Sequence, residues 1–214
     1  MKLVSLIAFV LIIRACYAIL GFDVYQSISE VTFQCLAKNG YSFFIGRMVI
    51  MTGDIDNAGI QNIKNARSAG FTNVDGYISP CTSGCASPSD QVQAAINATK
   101  NAGTTVGTIW LDVETFEWTY ITATNIQFIT DMVNTIQNNG YKVGIYTTDT
   151  DWNIVFGAWT GASSFPLWWL NYDNQTNFNN FSPFGGWDAP TIKQYNGGIN
   201  GPCGVPNLNL NWRP

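Results

Sequence analysis

Histidine is absent from the chain. Without an imidazole there is no Ser-His-Asp triad, no Cys-His pair, no H-E-x-x-H zinc site and no histidine general base, so any catalysis must run on carboxylates, Tyr, Lys or Cys. Charge is scarce as well: 11% of the 214 residues are charged, with 10 Lys+Arg against 14 Asp+Glu and a formal charge of -4. A nucleic-acid-binding surface needs the opposite balance, so nucleic acid is excluded as a partner. So little charge beside 46% hydrophobic residues also excludes a disordered or coiled-coil chain, and fits one globular domain large enough to bury a core. The paired C-x-x-C spacing of structural zinc is missing, and nothing in the sequence calls for a metal or a cofactor.

Long apolar runs are lacking too. The longest, Leu3 to Ile13, is ended by Arg14, short of the roughly 20 residues that a membrane anchor needs. Lys2 before it, and small residues at Cys16 and Ala18 behind it, make residues 1–18 a candidate secretory signal peptide cleaved after Ala18, with no stable membrane anchor. The domain is then 19–214. Loss of Lys2, Arg14 and Cys16 leaves 8 basic residues against 14 acidic ones, a net charge of -6, and four cysteines. An even number in an oxidising compartment predicts two disulfides with three possible connectivities. The tight loop PCTSGC favours Cys81 with Cys85, which leaves Cys35 with Cys203 as a clasp between early and late chain. Sequons at Asn97, Asn174 and Asn180 are compatible with secretion.

What is present is a rhythm. Short β-branched or aromatic runs at 19–25, 42–49, 73–79, 106–114, 142–147, 166–172, 191–195 and 208–212 alternate with segments of helical period at 29–39, 56–69, 89–102 and 122–139. Gly40, Gly70, Gly103 and Gly140 follow the four helices where a left-handed residue is wanted. After the fifth strand the helical signal fades to a short segment at 149–156. The expected fold is α/β, a single (β/α) barrel of eight parallel strands, TIM-barrel-like, with an irregular, helix-poor second half. Chemistry in such barrels sits at the C-terminal ends of the strands.

Acids stand at those ends. In TIWLDVETFEW, Asp112 and Glu114 are two residues apart, so alternation puts both on one face, about 6.6 Å apart at Cα. Two carboxyl groups so placed raise the pKa of one of them, and a glycosidase needs one carboxyl protonated and one ionised. D-x-E is a common tripeptide, and a solvated strand end is the plain alternative. Asp23 in ILGFDVY closes the first strand and would meet them at the same mouth. Tyr77, Tyr146 and Trp168 supply flat faces on which sugar rings stack, although core packing is the default for each alone.

GFDVYQ, VDGYISPC, LDVET, GIYTTDTDW, PLWWLNYD and IKQYNG together resemble, in order and over essentially the whole of 19–214, the glycoside hydrolase family 25 lysozymes, the Chalaropsis-type muramidases, in their eukaryotic secreted form. The resemblance implies hydrolysis of the β-1,4 bond between N-acetylmuramic acid and N-acetylglucosamine in bacterial peptidoglycan. It makes Glu114 the general acid, Asp112 the carboxylate that orients the substrate's 2-acetamido group for a substrate-assisted step, and Asp23 the third acid of the network. Tyr77, Tyr146, Trp168 and Gln194 fall on cleft positions. Two departures stand out: Asn209 replaces the Asp of the family's V-D-L-N motif, weakening the field on Glu114, and Lys193 replaces an aromatic. Lys193 could hold an anionic muramyl lactate or peptide stem, or be a solvated surface lysine, the reading preferred here. A silent peptidoglycan- or chitin-binding barrel and a chitinase-like hydrolase are the alternatives; the latter's D-x-x-D-x-D-x-E pattern is missing. The acidic charge opposes approach to anionic walls at neutral pH, which predicts an acid optimum, as in an acidic vesicle lumen; with the signal peptide a place outside the cell is the other expectation, and a monomer is expected.

Overall fold

The structure, a computed structural model, describes residues 18–214; the candidate signal peptide lies outside the described residues except for Ala18. Eight strands, β1 (Ile19–Asp23), β2 (Tyr41–Val49), β3 (Asn73–Ile78), β4 (Thr108–Val113), β5 (Lys142–Thr147), β6 (Leu167–Leu170), β7 (Ile192–Ile199) and β8 (Leu208–Arg213), close a barrel in sequence order. Helices α1 (Glu30–Lys38), α2 (Asn57–Ser68), α3 (Pro88–Asn101), α4 (Thr122–Asn138) and α5 (Asp149–Phe156) follow the first five strands. Local chemistry starts the helices: Ser29, Asp56, Ser87 and Thr148 each accept a backbone N–H of the first turn, replacing the partner that a helix end lacks.

One expectation about the barrel fails. Strands β1 to β7 run parallel, but β8 is antiparallel to both of its neighbours. The reason is length: only residues 200–207 separate β7 from β8, and a parallel crossover needs a dozen or more. A short 3₁₀ turn, Pro202–Gly204, occupies that link. Within it Cys203 pairs with Cys35 at the end of α1, and Cys81 pairs with Cys85.

Strand alternation builds two cores. Residues facing outward, such as Ile109, Leu111 and Val113 on β4, pack under the helices. Those facing inward form a separate cluster of Phe43, Ile45, Tyr77, Trp110, Tyr146, Trp168 and Ile192. Filling so narrow a barrel with tryptophan requires a facing residue without a side chain: a Cβ on Gly144 would stand 2.3 Å from the Trp110 ring. Outside, Gly59 lets α2 lie directly on β2, because a Cβ there would be 1.8 Å from the Arg47 carbonyl oxygen. Among the described residues no helix is long and apolar enough to cross a membrane.

Candidate active site

The inward-facing aromatic layer is the floor of a cleft of about 630 Å³ at the C-terminal ends of the strands, lined in part by Asp23, Arg47, Tyr77, Ser79, Asp112, Glu114, Tyr146, Trp168 and Gln194. The three acids selected from the sequence therefore meet at one mouth. Asp112 continues the inward series of β4, and Glu114 keeps extended geometry (φ -118, ψ 137) before the 3₁₀ turn Thr115–Glu117, so both face the cleft.

Their surroundings differ. Asp23, 2% exposed, accepts three amides: Oδ1 from Gln194 Nε2 at 2.8 Å and Asn211 Nδ2 at 2.7 Å, Oδ2 from Asn209 Nδ2 at 2.8 Å. Burial pushes its pKa up to about 6 against the pull of those amides and of Arg47. Asp112 is buried and takes a hydrogen bond from Ser79 Oγ at 2.9 Å. Glu114 makes no side-chain hydrogen bond among the described residues. Burial, then the charges of Asp151 and Asp23, lift its pKa to about 7, which is the proton-retaining condition that an acid catalyst needs.

The supporting residues lock one another. Gln194 donates to Asp23 while its Oε1 accepts the hydroxyls of Tyr146 at 2.9 Å and Tyr172 at 2.7 Å. Trp168 Nε1 donates to Asn211 Oδ1 at 2.8 Å, and the Trp168 and Tyr146 rings lie 4.5 Å apart. Asn209 is held by the Gly198 N–H at 3.0 Å, so its amide nitrogen must point at Asp23. A carboxylate at this position would have no proton to give. Beside Glu114, Asp151 accepts from the Thr115 backbone N–H at 3.0 Å and from both Thr115 and Thr148 hydroxyls, fixing the turn that carries the acid.

Both readings of Lys193 are overturned. It is 0% exposed and outside the cleft, with Nζ 2.7 Å from each oxygen of Asp173, 3.1 Å from the Asn177 carbonyl and 5.0 Å above the Trp169 ring. Gln194 faces inward, so strand alternation turns Lys193 outward onto the loop after β6. Sequence reasoning also passed over Arg47, Ser79, Asn211, Tyr172 and Asp151. Two of them carried a usable signal: Arg47 shares the inward phase of Phe43 and Ile45, and Asn211 that of Asn209.

The buried acids leave a mark on stability. Asp23 titrates near 6 in the fold against 3.8 as a free side chain, so between those values the folded chain holds a proton that the unfolded chain has released. Stability therefore falls as pH rises through this window, by about 3 kcal/mol for Asp23. Glu114 acts in the same sense from 4.5 to about 7. Thermal unfolding followed by circular dichroism should give a higher midpoint at pH 4.5 than at pH 7.5. A midpoint that rises over that range would contradict the burial of these acids.

A closed barrel with three carboxyl groups among aromatic faces at its mouth, and no histidine, defines a glycoside hydrolase. The family model described as lysozyme-like protein 1 matches residues 14–195. The chain is 44% identical over 196 residues to lysozyme-like protein 5 of Caenorhabditis elegans, covering 91% of each chain. It is 39% identical over 210 residues to probable GH family 25 lysozyme 4 of Dictyostelium discoideum, covering 98% of this chain and 97% of that one. Its fold is similar to that of a muramidase from Acremonium alcalophilum, with a TM-score of 0.69 at 22% identity over 92% of this chain and 93% of that one. The chain belongs to the glycoside hydrolase family 25 lysozymes.

Proposed function

We propose that the chain is an N-acetylmuramidase that hydrolyses the β-1,4 bond between N-acetylmuramic acid and N-acetylglucosamine in bacterial peptidoglycan. The observation that carries this reading is the unlike state of three neighbouring carboxyl groups: Asp23 and Asp112 are tied into hydrogen bonds, while Glu114 has none among the described residues and keeps its proton to about pH 7. Glu114 gives that proton to the glycosidic oxygen as the bond to C1 breaks. Asp112, steadied by Ser79, orients the 2-acetamido group so that its carbonyl oxygen attacks C1 and carries the developing positive charge. Glu114, now ionised, takes a proton from the water that opens this intermediate. Asp23, clamped by the amides of Gln194, Asn209 and Asn211, fixes the cluster electrostatically. Tyr77, Tyr146 and Trp168 pack as the apolar floor beneath the acids, from which water is largely excluded. Clasps at Cys35–Cys203 and Cys81–Cys85, and acids that favour the fold at low pH, suit a secreted protein or an acidic vesicle lumen.

The test is the identity of the new reducing end. Purified peptidoglycan digested at pH 6 and reduced with borohydride should give reduced muramic acid. Reduced glucosamine would replace this reading with a chitinase-like one. Wall binding without any release would make the chain a silent binding barrel.

A further inference from the structure

Arg47 is the one cation among the described residues that line the cleft. It follows Phe43 and Ile45 on the inward face of β2 and stands beside Tyr77 in the β2–β3 register. Two neighbours set its plane. Its Nε donates to Asp56 Oδ2 at 2.7 Å, and its guanidinium carbon lies 4.8 Å over the Tyr25 ring. Asp56 is itself fixed, because Oδ1 accepts the Gly59 N–H at 2.9 Å in the first turn of α2. This clamp uses Nε and leaves both terminal nitrogens without a protein hydrogen bond among the described residues, on a side chain 24% exposed to the cleft. Asp23, the acid that feels Arg47, already has its oxygens filled by three amides. The remaining guanidinium edge therefore has the geometry that pairs with a planar oxyanion, two parallel N–H donors side by side. Among the described residues that line the cleft every other charged side chain is acidic, so this edge is where a negative group is welcomed.

We propose that Arg47 binds a carboxylate of the substrate and so selects an acidic glycan over a neutral one. The proposal rests on reading the cleft as a glycan site and names what that site measures. In a muramyl glycan the carboxylate is either the lactyl group, when the peptide has been removed, or the first carboxylate of the attached peptide.

Binding is to be measured on the inactive Glu114→Gln background with three soluble glycans: strands bearing peptides, strands trimmed to free lactyl carboxylates, and trimmed strands whose carboxyls have been converted to amides. Adding Arg47→Gln should raise Kd about 10- to 100-fold on the carboxylate glycans and leave it unchanged on the amidated one, with Arg47→Lys in between because it keeps the charge but not the fork. The amidated glycan should bind the parent more weakly, by the same factor, than the glycan whose carboxylate Arg47 holds, a comparison that involves no change to the protein. Whichever of the first two glycans shows the Arg47 dependence identifies the carboxylate. An equal loss from Arg47→Gln on all three glycans would overturn the proposal and make Arg47 a prop for Asp23 and Asp56. Equal affinity of the parent for all three glycans would overturn it as well. Failure to bind any of the three, with no release from peptidoglycan by wild type, would overturn the glycan reading itself.

Discussion

Replacing Glu114 by Gln should lower kcat on peptidoglycan by about 10³- to 10⁴-fold, the upper part of the range for loss of a general acid, while the fold survives. The amide has nearly the shape of the acid, and the carboxyl it replaces has no hydrogen bond to lose among the described residues. Its removal also relieves the repulsion from Asp151 and Asp23 that lifts the Glu114 pKa, so the melting temperature near pH 7.5 should stay level or rise. The same environment sets the pH profile of the wild type. With Glu114 holding its proton to about pH 7, kcat/KM should fall tenfold per unit above that value, since only the protonated form can give a proton to the leaving oxygen. Initial rates of turbidity loss from pH 4 to 9, with a melting curve for each variant, test both statements. A folded Glu114→Gln enzyme with near-normal rates, or a wild-type maximum at pH 8, would remove Glu114 from its role.

Asp173→Ala should be the costliest change outside the cleft. The Lys193 ammonium is wholly buried and depends on both Asp173 oxygens. Burial pushes the Asp173 carboxyl up, but Lys193, the Gln175 N–H and the Asn180 amide together hold it below the usual carboxylate value, so the pair persists through mildly acid pH. Removing the carboxylate strands a cation in the protein interior at a cost of about 3–5 kcal/mol. For a domain of this size that amounts to a fall of roughly 6–20 °C in Tm. Lys193→Met, which removes the charge instead of stranding it, should cost less, because Asp173 sits at the surface end of the pair and can be hydrated. A smaller effect for Asp173→Ala than for Lys193→Met would refute the account of this pair.

The sequence carried the alternation of elements well because the strands are short, apolar on both faces, and set between helices with one apolar face, which end on residues such as Gly40 and Gly140 that adopt positive φ. The direction of the last strand was not in LNLNWR: a period of two reads the same both ways, and only the eight-residue link before it decides the orientation. Asp23, Asp112 and Glu114 were legible because acids at the ends of apolar strands are conspicuous. Lys193 was misread although its own neighbour held the answer, since Gln194 and Lys193 cannot both face the barrel. Its partner Asp173 lies in the irregular stretch after β6, where no periodicity tells which side chain turns inward. Arg47 was overlooked because the apolar phase of β2 hid a charged residue that keeps the same phase.

The amides that clamp Asp23 come from far downstream, 171, 186 and 188 residues along the chain. During synthesis Asp23, Asp112 and Glu114 leave the ribosome well before Asn209 and Asn211 exist. Until β8 inserts between β1 and β7, the sheet has two unpaired edges, and Asp23 lacks the amides of Asn209 and Asn211. Closure of the barrel therefore also completes the amide clamp on Asp23. The same dependence makes the chain vulnerable: an early stop or a cut before Leu208 would leave all three acids in place but remove two of the three amides that hold Asp23.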